Sequence, residues 1–404
     1  MKYINKNLLI EKVKIKDVAE KYGTPTYCYS YKQLKNNITN FKKSFNTFSP
    51  LICFAIKSNT NLSLLSEIKK LGLGADVVSI GELMVALKAG IDPKKIVFSG
   101  VGKTITEIKF AIEKKILLIN AESESEIIVI EKIAKLKKKK INIGIRLNPN
   151  TDAKTLEQIS TGKKENKFGV GEKTFFKLVN YAKSSKNIYL KCLSVHIGSQ
   201  ILDYKPYEKM LNIIDKIINK CNYNFEFIDL GGGMGISYKK SDKKFNYQKY
   251  NFIIKKFLKK HKSKIIFEPG RSIVGNIGYL ISKIIYIKES ENKDFVILDA
   301  AMNDFMRPAL YGANHKVLPA FKKKYISKKV YELVGPICES TDKFSSLKKF
   351  QKLEENEIVV MCDVGAYGMT LSSNYNVRCK PAEVLINGSK INVIKKRQKL
   401  TDII

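Results

Sequence analysis

One lysine in this sequence is well placed to react with a carbonyl compound. Lys57 stands directly after the apolar segment ICFAI and before a polar segment that begins with Ser58. A short apolar segment of this kind predicts a buried strand. A lysine at the end of such a strand is partly desolvated, which favours the uncharged amine that can form a Schiff base. Composition alone would not single out Lys57, because the chain contains 68 lysines.

Groups of complementary chemistry follow three other apolar segments. His196 follows one of them, the run LGGGMG ends another, and Glu268 opens the turn EPGR after a third. Because glycine has no Cβ, the backbone N–H groups of a glycine run can approach a phosphate closely. A carboxyl group can hydrogen-bond a protonated pyridine nitrogen, and an imidazole can stack on such a ring. Simpler explanations exist, since a glycine run can be only a tight turn and a lone histidine is often structural.

The elements that must position these residues repeat as strand–helix units. Eight short apolar segments, each followed by an amphipathic stretch, occupy the region from about Leu51 to Arg271. They are Ile52–Ile56, Ala75–Val78, Ile96–Phe98, Ile116–Ile119, Ile143–Leu147, Leu190–Ile197, Phe225–Leu230 and Lys264–Phe267. Continuous apolar segments suit parallel strands buried on both faces. Eight such units predict an α/β fold with a (β/α)8 TIM barrel, in which the C-terminal strand ends meet at one mouth. An open doubly wound sheet is the alternative, although it needs fewer strands for this length.

A second domain is predicted after the barrel. Beyond Gly275 the apolar segments lie closer together, with turn residues between them and few helical stretches. This pattern predicts a mainly antiparallel β domain, which the strand-like KYGTPTYCY near the N-terminus could join. We therefore predict a barrel over residues 29–275 and a β domain formed by residues 1–28 and 276–404.

The charge of the chain is unusual, since 73 basic and 38 acidic side chains give a net charge of +35. Such a charge could indicate a nucleic-acid or membrane-surface partner. The basic residues are spread along the whole chain, however, so we interpret them as solvated lysines and expect neither partner. Only five arginines are present, namely Arg146, Arg271, Arg307, Arg378 and Arg397. Because a guanidinium binds carboxylate or phosphate through a fork that an ammonium lacks, a retained arginine is a candidate for such a contact.

The cysteines and the N-terminus bear on the compartment. Seven cysteines without a C-x-x-C pair argue against a disulfide framework or a thiolate metal site, and they favour a reducing compartment. The first residues are too rich in lysine for a signal peptide, and no apolar segment has the length of a membrane span. We therefore expect a cytoplasmic protein without a metal ion.

Ten strings, spread in order over nearly the whole chain, carry a family resemblance. They are FAIKSN, GADVVSIGEL, NPNTDAKTLEQISTGKKENKFGV, SVHIGSQ, DLGGGMGISY, EPGRSIV, DAAMNDFMRPALY, GPICESTD, GAYGM and SNYNVRCKPAEV. With them the chain resembles the fold-type III pyridoxal-phosphate decarboxylases, whose barrels are like that of alanine racemase. One departure is Ile80, which stands where glycine is commoner and weakens any expectation of backbone contacts there.

The resemblance implies a role for each matching residue. Lys57 would carry pyridoxal 5'-phosphate as a Schiff base, His196 would stack on its ring, and Cys338 would be a third catalytic residue. The cofactor would also be held by Ser199, Gly232, Gly233, Glu268, Pro269, Gly270, Arg271 and Tyr367, with Glu268 facing the pyridine nitrogen. The substrate would be bound by Arg271, Arg307, Tyr311, Glu339 and Tyr367, the first three contacting its distal carboxylate. Cys338 and Glu339 would reach the active site of a partner subunit, so that a homodimer shares its sites.

The implied reaction is decarboxylation of meso-2,6-diaminopimelate to L-lysine and CO2, the last step of lysine biosynthesis. Cys338 would donate the proton to Cα. Decarboxylation of ornithine, arginine or carboxynorspermidine on the same barrel is an alternative, but Glu339 after Cys338 and the string RPALY favour diaminopimelate. A regulatory homologue without cofactor would be expected to lack Lys57 or Cys338, and both are present.

Overall fold

A computed structural model describes residues 1–153, 159, 161–239 and 241–404. The chain divides into two compact units. The first, here called the barrel unit, comprises Ile38–Ile236 and Lys243–Ser272. The second, here called the β unit, comprises Met1–Asn37, Ser237–Asp242 and Ile273–Ile404.

The chain begins with elements of the β unit. Three short strands, β1 (Lys2–Ile4), β2 (Asn7–Ile10) and β3 (Val13–Lys14), form an antiparallel sheet. Helix α1 (Ile15–Tyr22), strand β4 (Thr26–Ser30) and helix α2 (Tyr31–Ser44) follow. All five residues of β4 are buried, as a central strand requires.

Eight parallel strands close into the predicted barrel. They are β5 (Leu51–Ala55), β6 (Gly74–Val77), β7 (Ile96–Phe98), β8 (Leu118–Ala121), β9 (Ile141–Arg146), β10 (Ile188–Ser194), β11 (Phe227–Asp229) and β12 (Lys264–Phe267). Strand β12 pairs with β5, which closes the ring and confirms the barrel. The open doubly wound alternative is therefore wrong.

Amphipathic helices connect the barrel strands. They are α3 (Leu62–Lys70), α4 (Ile80–Lys88), α5 (Ile105–Glu113), α6 (Glu124–Leu136), α7 (Glu172–Ser184), α8 (Lys205–Cys221) and α9 (Tyr247–Leu258). Polar side chains cap several of them. Ser79, for example, accepts a hydrogen bond from the backbone N–H of Glu82 and so begins α4 directly after β6. Such caps fix where each strand end turns into a helix, and thereby fix the mouth of the barrel.

The interior of the barrel changes from apolar to polar along the strands. An apolar layer is formed by Cys53, Val97, Leu118, Cys192, Phe227 and Ile266. Successive side chains of a strand point to opposite faces, so the next inward position lies two residues further on. On β8 and β11 these positions are Asn120 and Asp229, and both side chains are fully buried. The strands therefore deliver polar groups to the C-terminal half of the barrel.

The β unit is built on a large mixed sheet that is mainly antiparallel. After the short helix α10 (Arg271–Val274) come β13 (Gly278–Lys288), β14 (Lys293–Leu298), helix α11 (Arg307–Tyr311), β15 (Val317–Pro319), β16 (Val330–Val334), β17 (Lys343–Leu347), β18 (Ile358–Cys362), β19 (Ala382–Asn387) and β20 (Lys390–Lys395). The order along the sheet is β17-β16-β14-β13-β4-β19-β20, with β18 pairing to β13 and β15. Strand β4 is antiparallel to β13 and parallel to β19, which places an N-terminal strand in the middle of the sheet. Within the described residues, no helix is both long and apolar enough to cross a membrane.

Candidate active site

Lys57 lies at the mouth of the barrel, in a short turn (Ile56–Ser58) directly after β5. Its Nζ atom is 2.7 Å from a carboxylate oxygen of Asp76, and its side chain is 39 % exposed. It lines a cavity of about 380 Å³ together with Val78, Ser99, Gly100, Val101, Gly102, Arg146, Thr161, Phe168, Ser194, His196 and Glu268. The structure thus brings three predicted residues, Lys57, His196 and Glu268, to one cavity of the barrel unit.

Asp76 is a site residue that the sequence interpretation missed. It is the third residue of β6, and its side chain is completely buried. The ion pair with Lys57 holds the amine over the barrel interior and balances part of the charge that Asp76 brings there. The sequence offers one signal for this role, namely a carboxylate within an otherwise apolar strand. Such a group is seldom buried without a partner, so its presence predicts a cation nearby.

Two further carboxyl groups share a proton beside this ion pair. The side chains of Asp229 and Glu268 hydrogen-bond to each other, which requires that one of them be protonated. Burial, and then the charge of Asp229, raises the pKa of Glu268 well above its usual range, and burial also raises the pKa of Asp229. Glu268 therefore carries the proton, and it donates a hydrogen bond to the ionised Asp229.

The position of Asp229 is fixed by its neighbours on the inner wall. Its carboxylate accepts hydrogen bonds from Asn120 Nδ2 at 3.0 Å, Ser194 Oγ at 3.3 Å and the backbone N–H of Gly231 at 2.9 Å. Gly144 leaves the room that Asn120 needs, because a Cβ at that position would lie 2.0 Å from Asn120 Oδ1. The acid pair thus rests on a layer of polar side chains that the strands themselves position.

His196 presents a neutral ring to the cavity. The backbone N–H of Gly232 donates to its Nδ1 at 3.2 Å, so that this nitrogen carries no proton. Burial, followed by the positive charges of Arg146 and Lys57, lowers the pKa of His196 well below its usual range. An uncharged, partly buried imidazole suits contact with the face of an aromatic ring.

Arg146 completes the wall of the cavity. Its guanidinium donates to Glu122 Oε1 at 2.9 Å and lies 4.9 Å from the centre of the Phe168 ring. Glu122 also accepts the backbone N–H groups of Gly100 and Gly169, at 2.8 and 3.1 Å. The arginine therefore joins three separate loops of the barrel mouth through one buried carboxylate.

The predicted phosphate-binding residues lie on neighbouring loops of the barrel unit. Arg271 Nη2 donates to Ser199 Oγ at 3.3 Å. The glycines are needed for close packing: a Cβ on Gly232 would be 2.1 Å from the carbonyl oxygen of Glu268, and one on Gly233 would be 2.5 Å from that of Gly198. Pro269 holds the EPGR turn to β5 by accepting a hydrogen bond from the backbone N–H of Ala55 at 3.1 Å.

The barrel residues fit pyridoxal phosphate. They offer an amine for its aldehyde, a protonated carboxyl group for its ring nitrogen, a neutral imidazole for its ring face, and an arginine with backbone N–H groups for its phosphate. Gly270, in the EPGR turn, is buried against Ser58, where a Cβ would come within 3.0 Å. Groups suited to the aldehyde, the ring and the phosphate are therefore all present within the barrel unit.

The remaining predicted residues lie in the β unit. Arg307 is buried at the start of α11, and Tyr311 ends the same helix. Cys338 is exposed, and so is Glu339, whose carboxylate accepts a hydrogen bond from Tyr375 Oη at 2.6 Å. Tyr367 has a φ of +57°, a left-handed conformation that a residue other than glycine adopts rarely and that is often found at functional sites.

Comparisons with known proteins agree with this chemistry. A family model described as the pyridoxal binding domain of pyridoxal-dependent decarboxylases matches residues 31–275. Diaminopimelate decarboxylase of Aquifex aeolicus is 40% identical over 100% of this chain and 96% of its own length, and that of Helicobacter pylori strain J99 is 44% identical over 96% of each.

Solved structures give the same result. The crystal structure of diaminopimelate decarboxylase from Helicobacter pylori complexed with L-lysine has a TM-score of 0.91 and 43% identity, and the match covers 96% of this chain and 98% of that one. The enzyme of the same name from M. jannaschii has a TM-score of 0.93 and 34% identity, with 100% and 96% covered.

Replacing Asp229 with Asn should flatten the pH dependence of stability. A carboxyl group whose pKa is raised by folding contributes stability that is complete below its unfolded pKa of about 4 and is lost as the pH rises through its folded pKa. The cofactor-free wild type should therefore lose unfolding free energy as the pH rises from about 4 through the folded pKa of Asp229 at about 6, and the Asn variant should lose about 1–3 kcal/mol less. Urea denaturation at several pH values measures this difference.

A matched control is Glu113→Gln on the exposed surface of α5. A hydrogen bond from Lys137 lowers the pKa of Glu113, so this group is ionised throughout the range tested. Its variant should keep the wild-type dependence on pH. If the Asp229 variant did so as well, the acid pair would not titrate in this range.

Proposed function

This chain belongs to the pyridoxal-dependent decarboxylases, and within them to the diaminopimelate decarboxylases, and we propose that it converts meso-2,6-diaminopimelate to L-lysine and CO2. This is the final step of lysine biosynthesis. The observation that carries the proposal is the meeting of Lys57, His196 and Glu268 in one cavity of a chain that matches these enzymes over nearly its whole length.

Pyridoxal phosphate, when bound, supplies an aromatic ring that accepts the electron pair left behind by departing CO2. Lys57 Nζ would hold the cofactor by its aldehyde group, and His196 would contact the ring face. The Glu268 carboxyl group would face the ring nitrogen and hold a proton there, which would make the ring a stronger acceptor. Ser99 Oγ, which donates to Glu268 Oε1 at 3.3 Å, would keep this carboxyl group aligned. Ser199, Gly232, Gly233 and the turn from Glu268 to Arg271 would bind the phosphate.

The substrate is held by its distal carboxylate, the one that the reaction retains. Arg307 and Tyr311 on α11, together with Arg271, bind this group, and Tyr367 contacts both cofactor and substrate. A guanidinium forms paired, charge-assisted hydrogen bonds with a carboxylate, so the arginines select for a substrate that has one at each end. Simple diamino acids lack the second carboxylate and should bind poorly.

Cys338 and Glu339 act in the active site of a partner subunit. A cysteine is usually buried as a small apolar residue, whereas the thiol of Cys338 is exposed on its own chain. In a homodimer with shared sites this exposure is explained, because the thiol lies against the partner's substrate and protonates Cα after CO2 has left. Glu339 contacts the same substrate.

The compartment we propose is the cytoplasm. All seven cysteines are free, including the exposed Cys338, whose proposed proton-donating role requires a reduced thiol.

A substrate panel tests the proposed reaction. Release of CO2 from diaminopimelate, ornithine, arginine and lysine should be compared on the enzyme loaded with cofactor. We expect kcat/KM for diaminopimelate to exceed the others by at least about 100-fold, since each lost charged hydrogen bond costs about 1.5–3 kcal/mol. Equal or faster reaction of ornithine would contradict the assignment.

Lys57→Ala should remove the covalent attachment of the cofactor. After incubation with pyridoxal phosphate and reduction with borohydride, the wild type should gain one pyridoxyl group on the peptide that contains Lys57. The variant should gain none there and should have no measurable turnover. Lys94→Ala, on the exposed surface, is the control and should behave as wild type. Unchanged labelling and colour in the Lys57 variant would refute its role.

Cys338→Ala should keep the cofactor but lose turnover by about 10²–10⁴-fold, the usual contribution of a positioned acid. Cys379→Ala is the matched control and should retain activity.

Mixing the Lys57 and Cys338 variants tests whether sites are shared. Equal parts should recover about a quarter of wild-type activity, because half of the dimers are mixed and each has one intact site. No recovery would show that each site is built within one chain.

A further inference from the structure

A buried histidine of the β unit contacts the arginine to which we assign the substrate carboxylate. Arg307 Nη1 lies 3.1 Å from His315 Nε2, and the side chains are only 6 % and 5 % exposed. The other ring nitrogen, Nδ1, lies 2.9 Å from the backbone carbonyl oxygen of Cys362 at the end of β18. The imidazole therefore connects α11 to the central sheet of its unit.

These two contacts determine the protonation of the ring. A carbonyl oxygen only accepts hydrogen bonds, so Nδ1 must carry the proton and donate. Arginine only donates, so Nε2 must be the unprotonated nitrogen that accepts from Arg307. His315 is thus neutral with its proton on Nδ1, and a doubly protonated ring would set an N–H against the guanidinium.

Aromatic packing fixes the direction in which Nε2 points. The ring of Phe305 meets that of His315 edge-on at 4.7 Å between centres, and the ring of Tyr238 does so at 5.0 Å. Tyr238 also accepts a hydrogen bond from Arg307 Nη1 at 2.8 Å, and its ring centre is 5.0 Å from the guanidinium carbon. Both acceptors are uncharged, so these contacts orient the guanidinium without neutralising it.

We propose that His315 is a positioning residue for Arg307, which orients the guanidinium for the retained carboxylate of the substrate. The proposal rests on the function proposed above. Two ligands separate the effect on this carboxylate from all other effects. L-lysine, the product, keeps the carboxylate, whereas pentane-1,5-diamine has the same amines and carbon chain without it.

The experiment compares His315→Leu with His315→Gln. Leucine has a side chain of similar size to histidine, but it can make neither the contact with Arg307 nor the contact with the Cys362 carbonyl. Glutamine can place its amide oxygen near the former Nε2 and its amide nitrogen toward the Cys362 carbonyl. The dissociation constant of each ligand for the cofactor-loaded enzyme is measured by calorimetry, and KM and kcat are measured for diaminopimelate.

For His315→Leu we expect L-lysine to bind at least about tenfold more weakly, as loss of one charged hydrogen bond predicts. KM for diaminopimelate should rise by a similar factor, with kcat within about threefold. Binding of pentane-1,5-diamine should change by less than about twofold, and His315→Gln should restore most of the L-lysine affinity. Equal weakening of both ligands would overturn the proposal, because it would indicate a general structural defect.

A double-mutant cycle tests whether His315 acts through Arg307. In an Arg307→Met background, His315→Leu should weaken L-lysine binding by less than about twofold, because the group that it positions is gone. Multiplicative effects of the two changes would overturn the inference. Should the leucine variant fail to fold, His315→Asn serves instead, since its shorter side chain can reach the Cys362 carbonyl but not the guanidinium.

The outcomes distinguish this inference from the proposed reaction. A wild type that does not decarboxylate diaminopimelate but binds L-lysine through Arg307 and His315 would refute the reaction and support the inference. Normal turnover with a His315→Leu variant that binds L-lysine as tightly as wild type would refute the inference alone. A wild type that neither reacts nor binds L-lysine would refute both.

Discussion

Placing three carboxyl groups inside one barrel is the constraint on which the candidate site depends. Asp76, Asp229 and Glu268 are all buried, and three negative charges so enclosed would be strongly destabilising. The structure reduces the charge in two ways. Lys57 pairs with Asp76, and a proton stays between Asp229 and Glu268. The amine to which we assign the cofactor and the carboxyl group to which we assign its ring nitrogen are thus also the groups that reduce the buried charge.

This arrangement ties function closely to folding. Inward positions along β8 pass from Leu118 to Asn120, and Glu122 follows just beyond the end of the strand. One segment thus contributes to the apolar layer, the acid pair and the arginine contact in turn. Position 144 on the neighbouring strand requires glycine, because Asn120 fills the space that a Cβ would occupy. A change in register of one residue would move all of these groups to the helix side of the sheet. The registry that makes a stable barrel is therefore also the registry that makes the site.

The sequence predicts what depends on local pattern and misses what depends on distant pairing. All eight barrel strands follow from apolar segments with helical stretches between them, and Lys57, His196 and Glu268 follow from their place after strand ends. Asp76 and Asp229 lie within strands, so only the closed barrel reveals that they face Lys57 and Glu268. His315 has no local signal, because its partner carbonyl is 47 residues away and Tyr238 packs on it from another segment.

The five arginines show what residue scarcity can and cannot indicate. Arg146, Arg271 and Arg307 contact polar groups of the proposed binding regions, as their retention among 68 lysines suggests. Arg397 has a different use. Its Nη2 donates to the carbonyl oxygens of Tyr22 and Pro25 and to Thr26 Oγ1, at 3.2, 2.7 and 3.1 Å, where the chain enters β4. These three contacts hold one segment of the chain and involve none of the predicted site residues. Scarcity therefore marks positions where an arginine contacts polar groups, and binding a ligand is only one reason for such a contact.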